Sequence, residues 1–173
     1  MTGAFLALAL LAAGAAPPAL PQTPEQRLKD LGIELYSPAP PVANYVKAVR
    51  SGNLVFLAGH GPTRADGSNV TGKVGRDLTL EQGYEAARLA GIAMLSTLRA
   101  EIGDLKKVRR IVKVLGFVNC TEAFTDQPKV INGFSDLMVS VFGEKGKHAR
   151  AAVGTSALPW NIAVEVEMIV EVE

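Results

Sequence analysis

From Asn161 to Glu173 apolar and acidic residues alternate almost without a break. Val164, Val166, Met168, Val170 and Val172 fall on one side. Glu165, Glu167, Glu171 and Glu173 fall on the other, with Ile169 among them. A period of two is that of a β-strand with one buried face. A second pattern has the helical period: Leu80, Tyr84, Ala87, Gly91, Met94, Leu95, Leu98 and Ile102 form one stripe. Thr79 and Gln82 frame its start as a capping box and Gly103 supplies a stop, which predicts a helix over 79–102. Pro128 to Phe142 is a second amphipathic helix, closed by Gly143.

The remaining elements are shorter. Thr23-Pro24-Glu25-Gln26 has the residues of a helix start, with a second capping box, and Gly32 ends that helix. A Pro-rich stretch follows (Pro38, Pro40, Pro41), extended or turning. Tyr45–Arg50 and Leu54–Ala58 read as two strands around a Ser51-Gly52-Asn53 turn. The second stops at Gly59-His60-Gly61-Pro62. Arg64–Gly75 is polar and Gly-rich, a loop with room for one short strand. Val108–Val118 is rich in β-formers, and Ala151–Ser156 is a short strand before Pro159. The order describes an α+β sandwich, with two helices covering one face of a mixed sheet. Leu115, Phe117 and Ile169 make the uncovered face half apolar, so a homo-oligomer packed through the sheet is expected.

Charge and composition narrow the picture. Residues 1–22 carry no charged side chain, and Phe5–Ala16 is a continuous Ala/Leu-rich run. It is short for a bilayer span but suits the core of a secretory signal, with Ala13-Gly14-Ala15 as the small-residue cleavage pattern. No Lys or Arg accompanies Met1. The expectation is a leader over 1–22, a single domain over 23–173 and export to the periplasm or beyond, with no stable membrane insertion; without a working leader the protein stays cytoplasmic. The 18 basic and 17 acidic residues leave a net charge of +1, which provides no global field for nucleic acid. One cysteine, Cys120, and two histidines, His60 and His148, exclude an intramolecular disulfide framework and a multi-cysteine metal site.

Two segments carry a resemblance. Ser51 to His60 (SGNLVFLAGH) resembles the glycine-bearing hairpin of the reactive intermediate deaminase family, the YjgF-like proteins. Ala149-Arg150-Ala151-Ala152-Val153, then Leu158-Pro159 and Val164-Glu165-Val166-Glu167, resembles that family's C-terminal signature. The likeness runs from about Leu35 to Glu173. It implies a chorismate-mutase-like α+β sandwich, a homotrimer whose sheets line a central barrel, and ligand clefts between subunits. It also implies hydrolysis of small enamines and imines, such as 2-aminoacrylate, to 2-keto acids and ammonia without a cofactor or a metal. By the same resemblance Arg150 binds the substrate carboxylate and Glu165 positions water. Tyr45 closes the cleft from a neighbouring subunit, Gly59 lies at its floor and Asn132 matches a helix asparagine. Four positions depart from the pattern: Ala58 and Ala151 replace serines, His60 a glutamine and Ala152 a cysteine. The lining at Ala58, His60 and Ala152 is therefore altered in a divergent subgroup.

The chemistry asked of these residues is modest. An arginine fork matches a carboxylate with two parallel hydrogen bonds, and a glutamate can orient water toward an imine carbon. Taken alone, Arg150 could equally form an ion pair, with Glu165 as a partner, and Glu165 could be one more solvated glutamate on its strand. Glu167 shares its facing. His60 could act as an acid or base or simply bind backbone. His148 reads as an exposed loop residue, Cys120 as an inert packing thiol and Trp160 as a packing or interface anchor. The basic run Lys106, Lys107, Arg109, Arg110 reads as a solvated approach to a strand. The competing function on the same scaffold is a binding module that holds a small carboxylate without turnover. A ribonuclease fits poorly, since no basic stripe interleaved with aromatics is present.

Overall fold

The computed structural model describes residues 22–41 and 43–173; the expected leader lies outside them except for Gln22. Helix α1 (Pro24–Asp30) is followed by strands β1 (Ala48–Ser51) and β2 (Leu54–His60), helix α2 (Leu80–Ile102), strand β3 (Val108–Asn119), helix α3 (Gln127–Phe142) and strands β4 (Ala149–Thr155) and β5 (Val164–Val172). The five strands form one sheet in the order β1-β2-β5-β3-β4. Only the β3–β4 pair is parallel, as its helical crossover through α3 requires. This is the expected mixed α+β layer with two long helices on one face.

Local chemistry accounts for the boundaries. Thr79 Oγ1 accepts from Gln82 N at 3.2 Å and Gln82 Oε1 accepts from Thr79 N at 2.8 Å, closing the capping box of α2. Gly103, at φ 83°, ends that helix in a conformation that favours glycine. In α1 the box is half made. Thr23 caps Gln26 N, but the Gln26 side chain donates forward to Asp30 at 2.8 Å. Tyr45 precedes β1 rather than lying in it, and β2 runs on to His60. The 64–75 segment makes isolated bridges but no strand.

The core lies between the helices and the covered sheet face. Val164, Val166, Met168, Val170 and Val172 are all buried there, as their alternation requires. On β3 the buried residues Val108, Ile111 and Val114 come at intervals of three, because two register shifts interrupt the ladder. Helices α2 and α3 approach closely: a Cβ on Gly133 would overlap the Tyr84 carbonyl. The other sheet face carries Val49, Phe56, Lys113, Leu115, Glu167 and Ile169 around a shallow hollow of about 400 Å³. Val49 and Phe56 are 53% and 41% exposed, so this chain alone leaves the face open. No helix among the described residues is long and apolar enough to cross a membrane.

Candidate functional site

The sheet register divides the predicted site residues between two faces. Arg150 on β4 pairs with Val114, whose side chain is buried under the helices. Glu165 on β5 pairs with Phe117, three residues further along β3 and beyond any register shift. Successive side chains alternate faces, so Arg150 points toward the helices and Glu165 toward the open face. The two do not form an ion pair within one chain.

On the helix side, Arg150 is half-buried and leans on α3. Its Nη1 donates to Asn132 Oδ1 at 2.9 Å and to Ser135 Oγ at 3.0 Å. Asn132 and Ser135 are three apart, hence neighbours on one helix face. Among the described residues neither Nε nor Nη2 of Arg150 has a hydrogen-bond partner, and no carboxylate reaches salt-bridge distance. The guanidinium is thus anchored by one nitrogen, with its two-donor edge left over. Ala152 lies two residues on, on the same side of β4, against Gly116. Position 116 is a glycine because Ile131 of α3 fills the space a Cβ would take.

The other half is made by a bulge. Leu57 pairs with Met168 and His60 with Val166, so β2 advances three residues while β5 advances two. Leu57 and His60 are both buried, which leaves Ala58 and Gly59 facing outward together. Gly59 lies directly against the Glu165 carboxylate, where a Cβ would overlap Oε1 and sit 2.8 Å from Cδ. Burial raises the Glu165 carboxyl above its ordinary value, and neighbouring Glu167 raises it further. Tyr45, nearly half exposed, shares a cleft of about 570 Å³ with Gly59, His60 and Trp160.

Several residues depart from expectation. His60 binds backbone, one of the two readings open for it, but is buried at the end of β2 rather than in a loop. Its Nδ1 donates to the Ala58 carbonyl at 2.7 Å, and its Nε2 lies 2.8 Å from Thr97 Oγ1. Both nitrogens are occupied, so the ring holds the bulge in place. His148 is not exposed either: it is half-buried, bonded to Gly146 O and to Ser135. Trp160 is not packed within the chain; it is 76% exposed and has a positive φ of 53°, an unusual backbone for a bulky residue. Ser135 was not singled out from the sequence, because only the α3–β4 packing reveals its partner. Cys120 is a buried free thiol, 3.6 Å from Gln127 Nε2.

Comparison with known proteins bears on the family and the fold. The profile of the family described as "YjgF/chorismate mutase-like, putative endoribonuclease" matches residues 25–172. The chain belongs to the YjgF family. The match spans every strand and helix described except the first residue of α1. The protein TCP17 of Trypanosoma cruzi is 46% identical over 145 residues, covering 83% of this chain and 91% of the relative. The crystal structure of Atu1372 from Agrobacterium tumefaciens, a protein of unknown function, is 44% identical with a TM-score of 0.81, covering 87% and 94% of the two chains. A 2-iminobutanoate/2-iminopropanoate deaminase of Dermatophagoides farinae is 29% identical over 134 residues, covering 77% and 89%. The YjgF fold and family expected from the hairpin and C-terminal segments are therefore those of the chain.

Proposed function

We propose that this protein hydrolyses small 2-imino acids and their enamine tautomers to 2-keto acids and ammonia. The reaction takes place in clefts where Arg150 of one copy faces Glu165, Gly59 and Tyr45 of another, in a homotrimer. The observation that carries the proposal is the Arg150 guanidinium, fixed among the described residues through Nη1 with Nε and Nη2 unused. That free edge fits a carboxylate with two parallel hydrogen bonds. The similarity to an iminobutanoate/iminopropanoate deaminase supplies the substrate class.

The chemistry follows from positions. Arg150 holds the substrate carboxylate and so fixes the imine carbon beside it. Glu165, with its carboxyl raised toward the working range of a general base, accepts a hydrogen bond from water and aims its oxygen at that carbon. Water adds, the C=N electron pair goes to nitrogen, and a carbinolamine forms. Proton transfer from the new hydroxyl to nitrogen, relayed by the carboxyl, then lets the C–N bond break to a ketone and ammonia. Because a single chain places Arg150 and Glu165 on opposite faces, the cleft needs two copies, and the open apolar sheet face supplies a surface for joining them.

A trapping assay tests this. An amino-acid oxidase generates imino acids in situ, semicarbazide competes for them, and keto-acid release is followed. Faster imine loss with wild type, abolished in Arg150→Ala, is the expected result. Acceleration that survives the substitution overturns the role of Arg150. The apolar lining at Ala58 and Ala152 favours a second reading, a carboxylate-binding module without turnover; binding of 2-oxobutanoate with no acceleration would select it.

A further inference from the structure

The Arg150 anchor does not end at Ser135. Ser135 Oγ lies 3.1 Å from His148 Nε2, and His148 Nδ1 lies 2.7 Å from the Gly146 carbonyl oxygen. A carbonyl only accepts, so Nδ1 carries the ring proton and Nε2 of the neutral ring is an acceptor. The Ser135 hydroxyl must then donate to Nε2, and its lone pairs turn to Arg150 Nη1. Every group in the chain Arg150–Ser135–His148–Gly146 has one assigned direction. The Phe134 ring meets His148 edge-on, with centroids 6.4 Å apart and planes at 81°, fixing the imidazole plane.

We propose that His148 is the positioning residue for Arg150, acting through Ser135 to hold the guanidinium with its Nε/Nη2 edge presented outward. The proposal rests on the reading of Arg150 as the carboxylate anchor. Burial favours the neutral ring and outweighs the Gly146 carbonyl, which favours the charged one; the Arg150 cation adds to the preference for the neutral ring. Among the described residues, four groups bear on His148. From β4 comes Arg150; from α3 come Ser135 and Phe134, both uncharged; from the preceding turn comes the Gly146 carbonyl. Lys147 is paired with Glu144 at 2.8 Å in solvent. Protonation would make Nε2 a donor, so two cations would point at one serine oxygen and the relay would reverse.

The test is read on the ligand-free protein by nitrogen NMR of the Arg150 guanidinium and the His148 ring. Expected are an Nδ1–H tautomer for His148 and restricted rotation of the Arg150 guanidinium near neutral pH. That rotation should accelerate on acidification with the midpoint of His148's own titration, a readout that needs no variant. It should also be faster in His148→Gln and Ser135→Ala, and no faster in the double variant than in Ser135→Ala alone. Rotation indifferent to the His148 titration, or additive effects in the two variants, overturns the proposal. In a second arm, 2-oxobutanoate binding should weaken about tenfold in His148→Gln, the lower end of what removing the partner of a metal-ligating side chain costs. If 2-oxobutanoate does not bind wild type at all, the carboxylate reading of Arg150 fails, while the guanidinium measurement still decides the relay.

Discussion

Gly59→Ala separates the geometry of the site from the stability of the fold. Gly59 has no positive φ, so the backbone accepts alanine, and the lost flexibility of the unfolded chain favours the variant by about 0.4–1 kcal/mol. The new methyl, however, would overlap Glu165 Oε1 and lie 2.8 Å from Cδ and 3.1 Å from Cγ. Carbon contacts relax to about 3.5–4 Å, so the carboxyl carbon must retreat by roughly 0.7 Å or more and its oxygen further. The glutamate tip can swing aside, so folding survives and Tm shifts by no more than about 4 °C. A catalytic group displaced by about 1 Å costs on the order of 100-fold in rate, near 2.7 kcal/mol. The assay is keto-acid release in competition with semicarbazide, alongside a thermal melt. A folded Gly59→Ala protein within threefold of wild type, when Glu165→Gln is inactive, would refute the reasoning that a methyl at position 59 displaces the working carboxylate.

Arg150→Lys keeps the charge but loses the two-donor edge, so 2-oxobutanoate affinity measured by calorimetry should fall nearly as far as in Arg150→Ala, by about tenfold or more. Gly133→Ala forces a methyl into the Tyr84 carbonyl on α2, backbone that cannot swing away; urea unfolding should show a loss of about 3 kcal/mol or more. His60 has a folded-state pKa below its ordinary 6.5 because it is buried. Its contribution to stability is therefore complete above pH 6.5 and is lost as pH falls toward the depressed value, where the unfolded chain binds the extra proton. Denaturant midpoints should drop between pH 7 and 5.5, and less so in His60→Gln. The raised Glu165 acts oppositely, adding stability as pH falls toward 4.5.

Where the pattern was regular, the fold was legible in the sequence. The alternation of 161–173 and the capped stripe of 79–102 identify β5 and α2 to within a few residues, because one burial rule governs each. β3 shows only a β-rich run, since its two register shifts break the period that would sort its faces. The family segments single out Arg150, Glu165 and Gly59 as candidates, but the bulge that turns Ala58 and Gly59 outward together is written in pairing between distant strands. His60 and His148 were ambiguous for the same reason: their partners, Thr97 and Ser135, lie 37 and 13 residues away. Tertiary hydrogen bonds of this kind leave no periodic trace.

The division of Arg150 and Glu165 between the two faces of one sheet yields a test of where the reaction occurs. If each cleft takes its arginine from one copy and its glutamate from the next, an inactive Arg150→Ala chain still offers a competent Glu165, and an inactive Glu165→Gln chain a competent Arg150. Co-expressed in equal amounts, the two variants assort into mixed rings. In a cyclic assembly with one orientation of contact, a cleft is intact when the right chain stands on the right side, in about a quarter of cases. Activity should then return to about a quarter of wild type, from two proteins that are each inactive alone. Mass spectrometry of the purified mixture verifies that the oligomers contain both chains. Mixed oligomers with no recovered activity would mean that Arg150 and Glu165 do not meet across a subunit boundary. In that case the open sheet face joins copies without building the site, and the carboxylate anchored by Arg150 is held on the helix side by one chain alone.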